Sequence, residues 1–179
     1  MVIWLIGLSA AGKTTIGKEV FIQLKEKTSN TVFVDGDAIR AIFKHDIGDS
    51  PYTIEGRRKN ADRIKEICRW LDKQDINVVC SILSIFEETR KWNRENYSNY
   101  FEVYVSVPMD ILRKRDKKNL YEPAINGKTK NVVGLDITFE EPECPDLVID
   151  NSKEGLDIKR VASDILSKAF EKHGEGRCS

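Results

Sequence analysis

The sequence predicts a single α/β domain in which a parallel sheet of about five strands is covered by helices on both faces, giving three layers. Strand-like and helix-like stretches alternate along the 179 residues, a length that fits one domain spanning residues 1–179. Several strand-like runs are almost wholly apolar, as expected for strands buried on both faces of a parallel sheet. The composition, with 40% hydrophobic and 32% charged residues, is that of an ordinary globular protein.

The strand-like runs cover residues 2–6, 31–34, 76–82, 101–107 and 147–149. Helix-like stretches separate or follow them at 14–27, 38–44, 53–73, 85–97, 109–116 and 154–171. Crossovers between parallel strands are right-handed by default, and ligands bind outside the carboxyl ends of such strands. We therefore expect the functional site in the turns that follow the strands.

The first strand-like run leads into GLSAAGKTT at residues 7–15, which fits G-x-x-x-x-G-K-[ST] without a gap. In this motif backbone N–H groups surround phosphate oxygens, while Lys13 reaches the β- and γ-phosphates and the Thr14 hydroxyl ligates Mg²⁺. A glycine-rich turn that fits by accident is the alternative, but the motif needs a strand before it and a helix after it, and both are predicted here. We therefore expect ATP to be bound by Gly7, Ser9, Ala10, Ala11, Gly12, Lys13, Thr14 and Thr15.

Two aspartates, Asp35 and Asp37, flank Gly36 where the second strand is predicted to end. One carboxylate could support Mg²⁺, directly or through water, and the other could accept a proton from an attacking hydroxyl. The alternative for Asp37 is a helix N-cap, since a helix is predicted to begin just after it. The third strand does not end in an acid, so the expected metal ligands are Thr14 and Asp35, with nucleotide phosphates and water.

Arg57 and Asn60 lie about one helical turn apart on the predicted helix 53–73 and therefore point to the same side. Together with Arg40 they suit a second anionic ligand, because arginine binds phosphate or sulfate through paired hydrogen bonds. Tyr52, just before this helix, could stack on a base or pack against the protein. These residues predict an acceptor site next to the phosphate loop.

Residues 117–146 contain Gly127, Gly134 and three prolines and show little periodicity. A segment of this length inside a compact domain is usually either functional or disordered. Beside a phosphate site it predicts a lid that excludes water during phosphoryl transfer.

Lys plus Arg and Asp plus Glu are both 29, so the net charge of +0 argues against a nucleic-acid polymer or a membrane surface as partner. The four cysteines and two histidines lack the spacing of metal ligands. The apolar start is too short for a signal peptide, and no run approaches the length of a membrane span. We therefore expect a cytoplasmic protein.

Six motifs give the chain a resemblance to the adenylylsulfate (APS) kinase family over residues 3–151. They are GLSAAGKTT at 7–15, DGDAIR at 35–40, R-x-x-N-x-x-R at 57–63, RDKKNLY at 115–121, KNVVGLD at 130–136 and PDLVID at 145–150. The resemblance implies the P-loop kinase fold and a reaction in which MgATP phosphorylates the 3′-hydroxyl of APS. It also implies a homodimer.

The same resemblance implies roles for individual residues. Asp37 corresponds to the general base for the ribose hydroxyl, Arg115 to the partner of the ATP adenine, and Lys118 to a lid cation that meets the transferring phosphate or the substrate anion. The family serine at position 84 is sometimes described as a phosphorylated intermediate, although in-line transfer needs only positioning and charge stabilisation. The implied substrate contacts are Asp37, Arg40, Tyr52, Arg57, Asn60, Leu83, Ser84, Lys118 and Leu135.

Two residues on the acceptor side depart from the family pattern. Glu87 stands in place of an arginine, and Val132 stands in place of one of the two aromatic residues that sandwich the substrate adenine, while Tyr52 aligns with the other. Losing one stacking partner removes roughly 1–3 kcal/mol of base recognition. A kinase for the 3′-hydroxyl of a cytidine diphosphate derivative such as cytidine diphosphoramidate, as in bacterial capsule pathways, is therefore the alternative. A nucleotide-binding switch without kinase activity is the alternative outside the enzymes.

Overall fold

The computed structural model describes residues 1–45, 47, 50–116 and 119–175. Within them five strands, all parallel, form one sheet: β1 (Val2–Ile6), β2 (Thr31–Asp35), β3 (Asn77–Ile82), β4 (Tyr100–Ser106) and β5 (Leu147–Asp150). Their order across the sheet is β2-β3-β1-β4-β5. The five predicted strands are confirmed, and β1 lies at the centre, so the loop that follows it lies in the middle of the carboxyl edge.

The helices are α1 (Lys13–Lys27), α2 (Gly36–Ile42), α3 (Ile54–Asp72), α4 (Glu87–Asn96), α5 (Met109–Lys114), α6 (Tyr121–Ile125) and α7 (Ile158–Glu175), with a short 3-10 turn at Ser50–Tyr52. All except α6 match predicted stretches to within a few residues. In the part of the chain that the structure describes, none of the helices combines the length and the apolar composition needed to cross a membrane.

The core has two parts, one on each face of the sheet, because successive side chains of a strand point to opposite faces. Ile3 and Leu5 of β1 pack in a cluster with buried residues of α1 and α7. Val2, Trp4 and Ile6 pack on the other face with buried residues of α2 and α3. This arrangement confirms the predicted three layers.

Much of the segment predicted as a lid is packed against the rest of the domain. Tyr121, Val132, Val133 and Ile137 are all buried, whereas residues 125–130 are exposed. The Tyr121 hydroxyl also donates a hydrogen bond to the carbonyl of Ser9, 3.0 Å away. Movement of this segment as a lid stays a prediction, and any opening must break these contacts.

The contact between α1 and the sheet gives a test of the packing. A Cβ atom at Gly17 would lie 2.3 Å from Ser81 Oγ and 3.1 Å from a ring carbon of Phe33. We predict that Gly17→Ala lowers the free energy of unfolding by about 1–3 kcal/mol through overpacking, although alanine is the better helix former. Gly174→Ala in α7 is the matched control, because nothing lies within 4 Å of its added Cβ. Urea denaturation of both variants checks this, and equal stability of the two would contradict the packing.

Candidate active site

The turns at the carboxyl edge of the sheet enclose a cavity of about 850 Å³. This volume lies toward the upper end of the range for small-molecule sites. The cavity is lined by Ser9, Ala10, Gly12, Lys13, Thr14, Thr15, Asp35, Gly36, Asp37, Arg40, Tyr52, Arg57, Asn60, Ser81, Ile82, Leu83, Arg115, Asp116, Leu120, Val133 and Asn151. Most of the predicted site residues therefore lie around one cavity.

Two glycines of the phosphate loop, residues 7–14, are required by close contacts with neighbouring chain segments. A Cβ atom at Gly7 would lie 2.6 Å from the carbonyl oxygen of Val105. Gly12 has a φ of 96°, which favours glycine, and a Cβ atom there would lie 2.6 Å from Asn151 Nδ2. The loop is thus pressed against the end of β4 and against the residue that follows β5.

The first residues of α1 carry an ammonium group and a hydroxyl group at the end of the loop. Because α1 begins at Lys13, its unpaired N-terminal N–H groups lie at the cavity, where they favour an anion. The Lys13 ammonium donates a hydrogen bond to the carbonyl of Leu8 at 2.8 Å. The Thr14 hydroxyl donates to Asp35 Oδ2 at 2.9 Å, so a hydroxyl and a carboxylate lie side by side beside the loop.

Asp35 also caps α2 and thereby fixes the position of Asp37. Asp35 Oδ1 accepts hydrogen bonds from the backbone N–H groups of Asp37 at 3.0 Å and Ala38 at 3.3 Å. The N-cap interpretation of Asp37 is therefore wrong, since α2 begins one residue before it and Asp35 is the cap. Asp37 instead projects from the first turn of α2, with a side chain that is 61% exposed and paired with Arg40 at 2.7 Å.

Tyr52 forms an aromatic wall at the acceptor end of the cavity. Its ring centroid lies 5.1 Å from the guanidinium carbon of Arg40 and 5.8 Å from that of Arg57. Such cation–π contacts help to fix the position of the ring. The ring therefore packs against arginines and also lines the cavity, so it remains available to stack on a base.

Arg57 is more constrained than the sequence suggested. Its Nε donates to the carbonyl of Tyr52 and one terminal nitrogen donates to the carbonyl of Asn131, both at 2.8 Å. Burial, and next the positive charge of Arg40, lower the pKa of Arg57 below its usual range. Arg57 therefore ties α3 to the segment around residue 131, and the N–H groups that remain are the ones it offers to a ligand.

Asn60 is buried beside the same cavity. Its Nδ2 donates to the carbonyl of Gly36 at 3.2 Å. Among the described residues its Oδ1 has no hydrogen-bond partner. Buried polar atoms are normally paired, so this unpaired oxygen is an exception.

Ser84 lies differently from its neighbour Leu83, which lines the cavity. Ser84 is buried, its hydroxyl accepts a hydrogen bond from the indole N–H of Trp4 at 3.4 Å, and its carbonyl accepts one from Arg90 at 3.1 Å. A direct contact between Ser84 and a substrate stays a prediction, and this arrangement does not favour it.

The two residues that depart from the family pattern lie outside the cavity lining. Glu87 pairs with Lys91 at 2.6 Å on the first turns of α4. Val132 is 1% exposed and belongs to the core, whereas the next residue, Val133, lines the cavity. The wall near residue 132 is therefore aliphatic where it meets the cavity.

Arg115 is fixed at the donor end by backbone carbonyls. Its guanidinium donates to the carbonyls of Asn151 at 2.6 Å, Ser152 at 3.3 Å and Lys153 at 3.4 Å. Asn151 Nδ2 in turn donates to the carbonyl of Ala11 in the phosphate loop at 2.9 Å. Asn151 and Asp116 line the cavity but were not predicted. Asn151 could have been found, because it lies only two residues after the last predicted strand.

The remaining predicted residues fall into two groups. Gly7 and Ala11 belong to the phosphate loop, and Leu135 is 39% exposed. None of the three is among the residues that line the cavity. Lys118 lies outside the described residues.

A glycine-rich loop between a central parallel strand and a helix, facing a cavity with an aspartate and arginines opposite, defines a P-loop kinase. Residues 1–150 match the model of the adenylylsulphate kinase family. The chain belongs to this family, and the protein is a phosphotransferase of a family of kinases that use ATP.

Individual relatives agree with the family assignment. The chain is 40% identical over 168 residues to cytidine diphosphoramidate kinase of Campylobacter jejuni, covering 90% of this chain and 96% of the relative. It is 36% identical over 170 residues to adenylyl-sulfate kinase of Halothermothrix orenii, covering 95% and 89%. Among solved structures, the Mycobacterium tuberculosis APS kinase in complex with AMPPNP and APS superposes with a TM-score of 0.81 at 26% identity, covering 94% of this chain and 96% of that one.

Proposed function

We propose that the protein transfers the γ-phosphoryl group of ATP to the 3′-hydroxyl of a nucleotide that carries a 5′ mixed anhydride, and that its preferred acceptor is cytidine diphosphoramidate. The choice of base rests on one observation: among the described residues that line the cavity, a single side chain, that of Tyr52, is aromatic. Base stacking on aromatic rings contributes roughly 1–3 kcal/mol per base, and a pyrimidine depends less than a purine on a second ring.

The aliphatic wall at Val133 supports the same choice. In the family pattern an aromatic residue stands at the neighbouring position 132, but Val132 is buried in the core here. The sequence identity to the relative named cytidine diphosphoramidate kinase is 40%, which is higher than the 36% to the adenylyl-sulfate kinase from H. orenii. APS is the second candidate acceptor, because the structural neighbour with a TM-score of 0.81 is an APS kinase in complex with APS.

In the proposed mechanism Asp37 accepts the proton of the attacking hydroxyl. Arg40 pairs with Asp37 at 2.7 Å and restricts the position of its carboxylate. Lys13 and the N-terminal N–H groups of α1 stabilise the charge that develops on the transferring phosphoryl group. The reaction then needs only positioning, proton acceptance and charge stabilisation, all available in one cavity.

Thr14 and Asp35 fit Mg²⁺, since their oxygens lie 2.9 Å apart beside the loop and both are hard ligands. Among the described residues no group of three or more His, Cys, Asp or Glu side chains could hold a metal. Nucleotide phosphates and water would therefore complete the coordination, as is usual for Mg²⁺. When bound, the ion neutralises charge on the β- and γ-phosphates. The homodimer implied by the family resemblance stays a prediction.

Substitution of the two aspartates tests their separate roles. Asp37→Ala should reduce turnover by about 10² or more through loss of the base. Asp35→Ala should in addition lower the free energy of unfolding by about 0.5–2 kcal/mol, because the cap of α2 is lost. Steady-state kinetics and urea denaturation measure the two effects. Near-normal turnover of Asp37→Ala, with chemistry rate-limiting, would remove Asp37 from the mechanism.

A competition between acceptors tests the substrate. With ATP as donor, we predict a higher kcat/KM for cytidine diphosphoramidate than for APS, measured by ADP release, with NMR mapping of the new phosphate to the 3′ position. Tyr52→Ala should lower kcat/KM for the preferred acceptor by roughly tenfold or more through lost stacking, while Tyr52→Phe keeps it. A clear preference for APS would select the second candidate, and transfer to neither would refute the proposed substrate class.

A further inference from the structure

The phosphate loop contains two residues whose backbone angles lie in the left-handed region. Ala10 has a φ of 62° and Gly12 has a φ of 96°. Glycine adopts such an angle without strain, whereas a residue with a side chain pays free energy for it and keeps it only where the surrounding structure imposes it. The loop therefore needs support from outside its own residues.

Two side chains from other parts of the chain supply this support, each at a backbone carbonyl of the loop. The hydroxyl of Tyr121, the first residue of α6, donates to the carbonyl of Ser9 at 3.0 Å. The Nδ2 group of Asn151, directly after β5, donates to the carbonyl of Ala11 at 2.9 Å. The two anchors thus hold the carbonyls on either side of Ala10.

Both anchors are themselves held in place. Tyr121 is buried, and its backbone N–H donates to the Asp116 carboxylate at 2.6 Å. Burial, and next the charge of Asp116, raise the pKa of Tyr121 to about 12, so its hydroxyl keeps the proton that it donates. The backbone of Asn151 donates to the carbonyl of Ser106 at 3.0 Å and accepts from Arg115 at 2.6 Å. The two donor groups are therefore fixed relative to the sheet.

The anchors also determine which way the peptide groups of the loop face. The C=O and N–H groups of a trans peptide point in opposite directions. Holding the carbonyls of Ser9 and Ala11 therefore turns the N–H groups of Ala10 and Gly12 away from the anchoring side chains. Ala10 and Gly12 both line the cavity. A loop of this kind binds phosphate through its N–H groups, so this orientation is the one that binding needs.

We propose that Tyr121 and Asn151 are positioning residues, which hold the phosphate loop in its binding conformation before a nucleotide arrives. A ligand binds more weakly when only a fraction of the molecules have the competent conformation. Loss of an anchor lowers that fraction, although the loop groups that contact the phosphates are unchanged. This inference rests on the proposed function only in taking the loop as the site of the donor phosphates.

The variants Tyr121→Phe and Asn151→Ala each remove one anchoring hydrogen bond. We expect the Kd of ADP to rise by about three- to tenfold in each variant, measured by calorimetry with Mg²⁺ and without acceptor. Inorganic tripolyphosphate, which has neither base nor ribose, should lose affinity by the same factor, because both anchors act through the loop.

Tyr97→Phe and Asn96→Ala are the matched controls. The Tyr97 hydroxyl donates to the carbonyl of Lys65 at 3.1 Å, and Asn96 Nδ2 donates to the carbonyl of Trp92 at 2.8 Å. Neither Tyr97 nor Asn96 is among the residues that line the cavity. Both controls should bind ADP and tripolyphosphate as the wild type does, and thermal unfolding shows whether all four variants are folded.

Unchanged Kd values in folded Tyr121→Phe and Asn151→Ala would overturn the inference. A loss for ADP that tripolyphosphate does not share would also overturn it, because the substituted side chain would then contact the nucleoside directly. A wild type that binds neither ligand would refute the proposed donor site and the inference with it. No acceptor is present, so a wrong acceptor would leave this test intact.

Discussion

The carboxylate of Asp35 connects the phosphate loop to the helix that carries the proposed base. One oxygen accepts from the Thr14 hydroxyl at 2.9 Å, and the other caps α2 through the N–H groups of Asp37 and Ala38. A single carboxylate at the end of β2 thereby fixes the phosphate loop relative to the first turn of α2, which carries Asp37. In the proposed mechanism this fixed spacing lowers the barrier to phosphoryl transfer by positioning alone.

The two ends of the cavity, which the proposed function assigns to the donor and to the acceptor nucleotide, are built differently. At the donor end, the guanidinium of Arg115 donates to the backbone carbonyl of Asn151, which follows β5. The side chain of Asn151 in turn donates to the phosphate loop. At the acceptor end, Tyr52 is held by the guanidinium groups of two arginines. The donor end is therefore set by the packing of the sheet, whereas the acceptor end depends on a few side chains that can change between related kinases.

The sequence predicted the strands and the phosphate loop well, because apolar runs and a glycine motif are local signals. It missed α6, which has only five residues and includes Pro123. It could not assign the cap of α2 to Asp35 rather than Asp37. That assignment requires the first residue of the helix to be known exactly, and a sequence pattern does not locate a helix end to a single residue. Asp116 was missed because its place in the cavity lining follows from how the chain packs around it.

Residues 84 and 132 illustrate a second limit. Motif alignment put both at the acceptor, yet the Ser84 hydroxyl contacts Trp4 and Val132 lies in the core. When two residues are neighbours in the chain, local backbone angles decide which of their side chains faces a cavity. The φ of 31° at Ser84 is an example. Spacing in sequence alone does not reveal this, so Leu83 and Val133 take the cavity positions.

Direct transfer between two nucleotides held in one cavity is the central claim, and the stereochemical course of the reaction tests it most directly. Donor ATP made chiral at the γ-phosphorus with an isotopically labelled thiophosphate would be used with the preferred acceptor, and the configuration of the product determined. A single in-line transfer predicts inversion. Retention would require two successive transfers through a phosphorylated enzyme, such as one at Ser84, and would contradict the account.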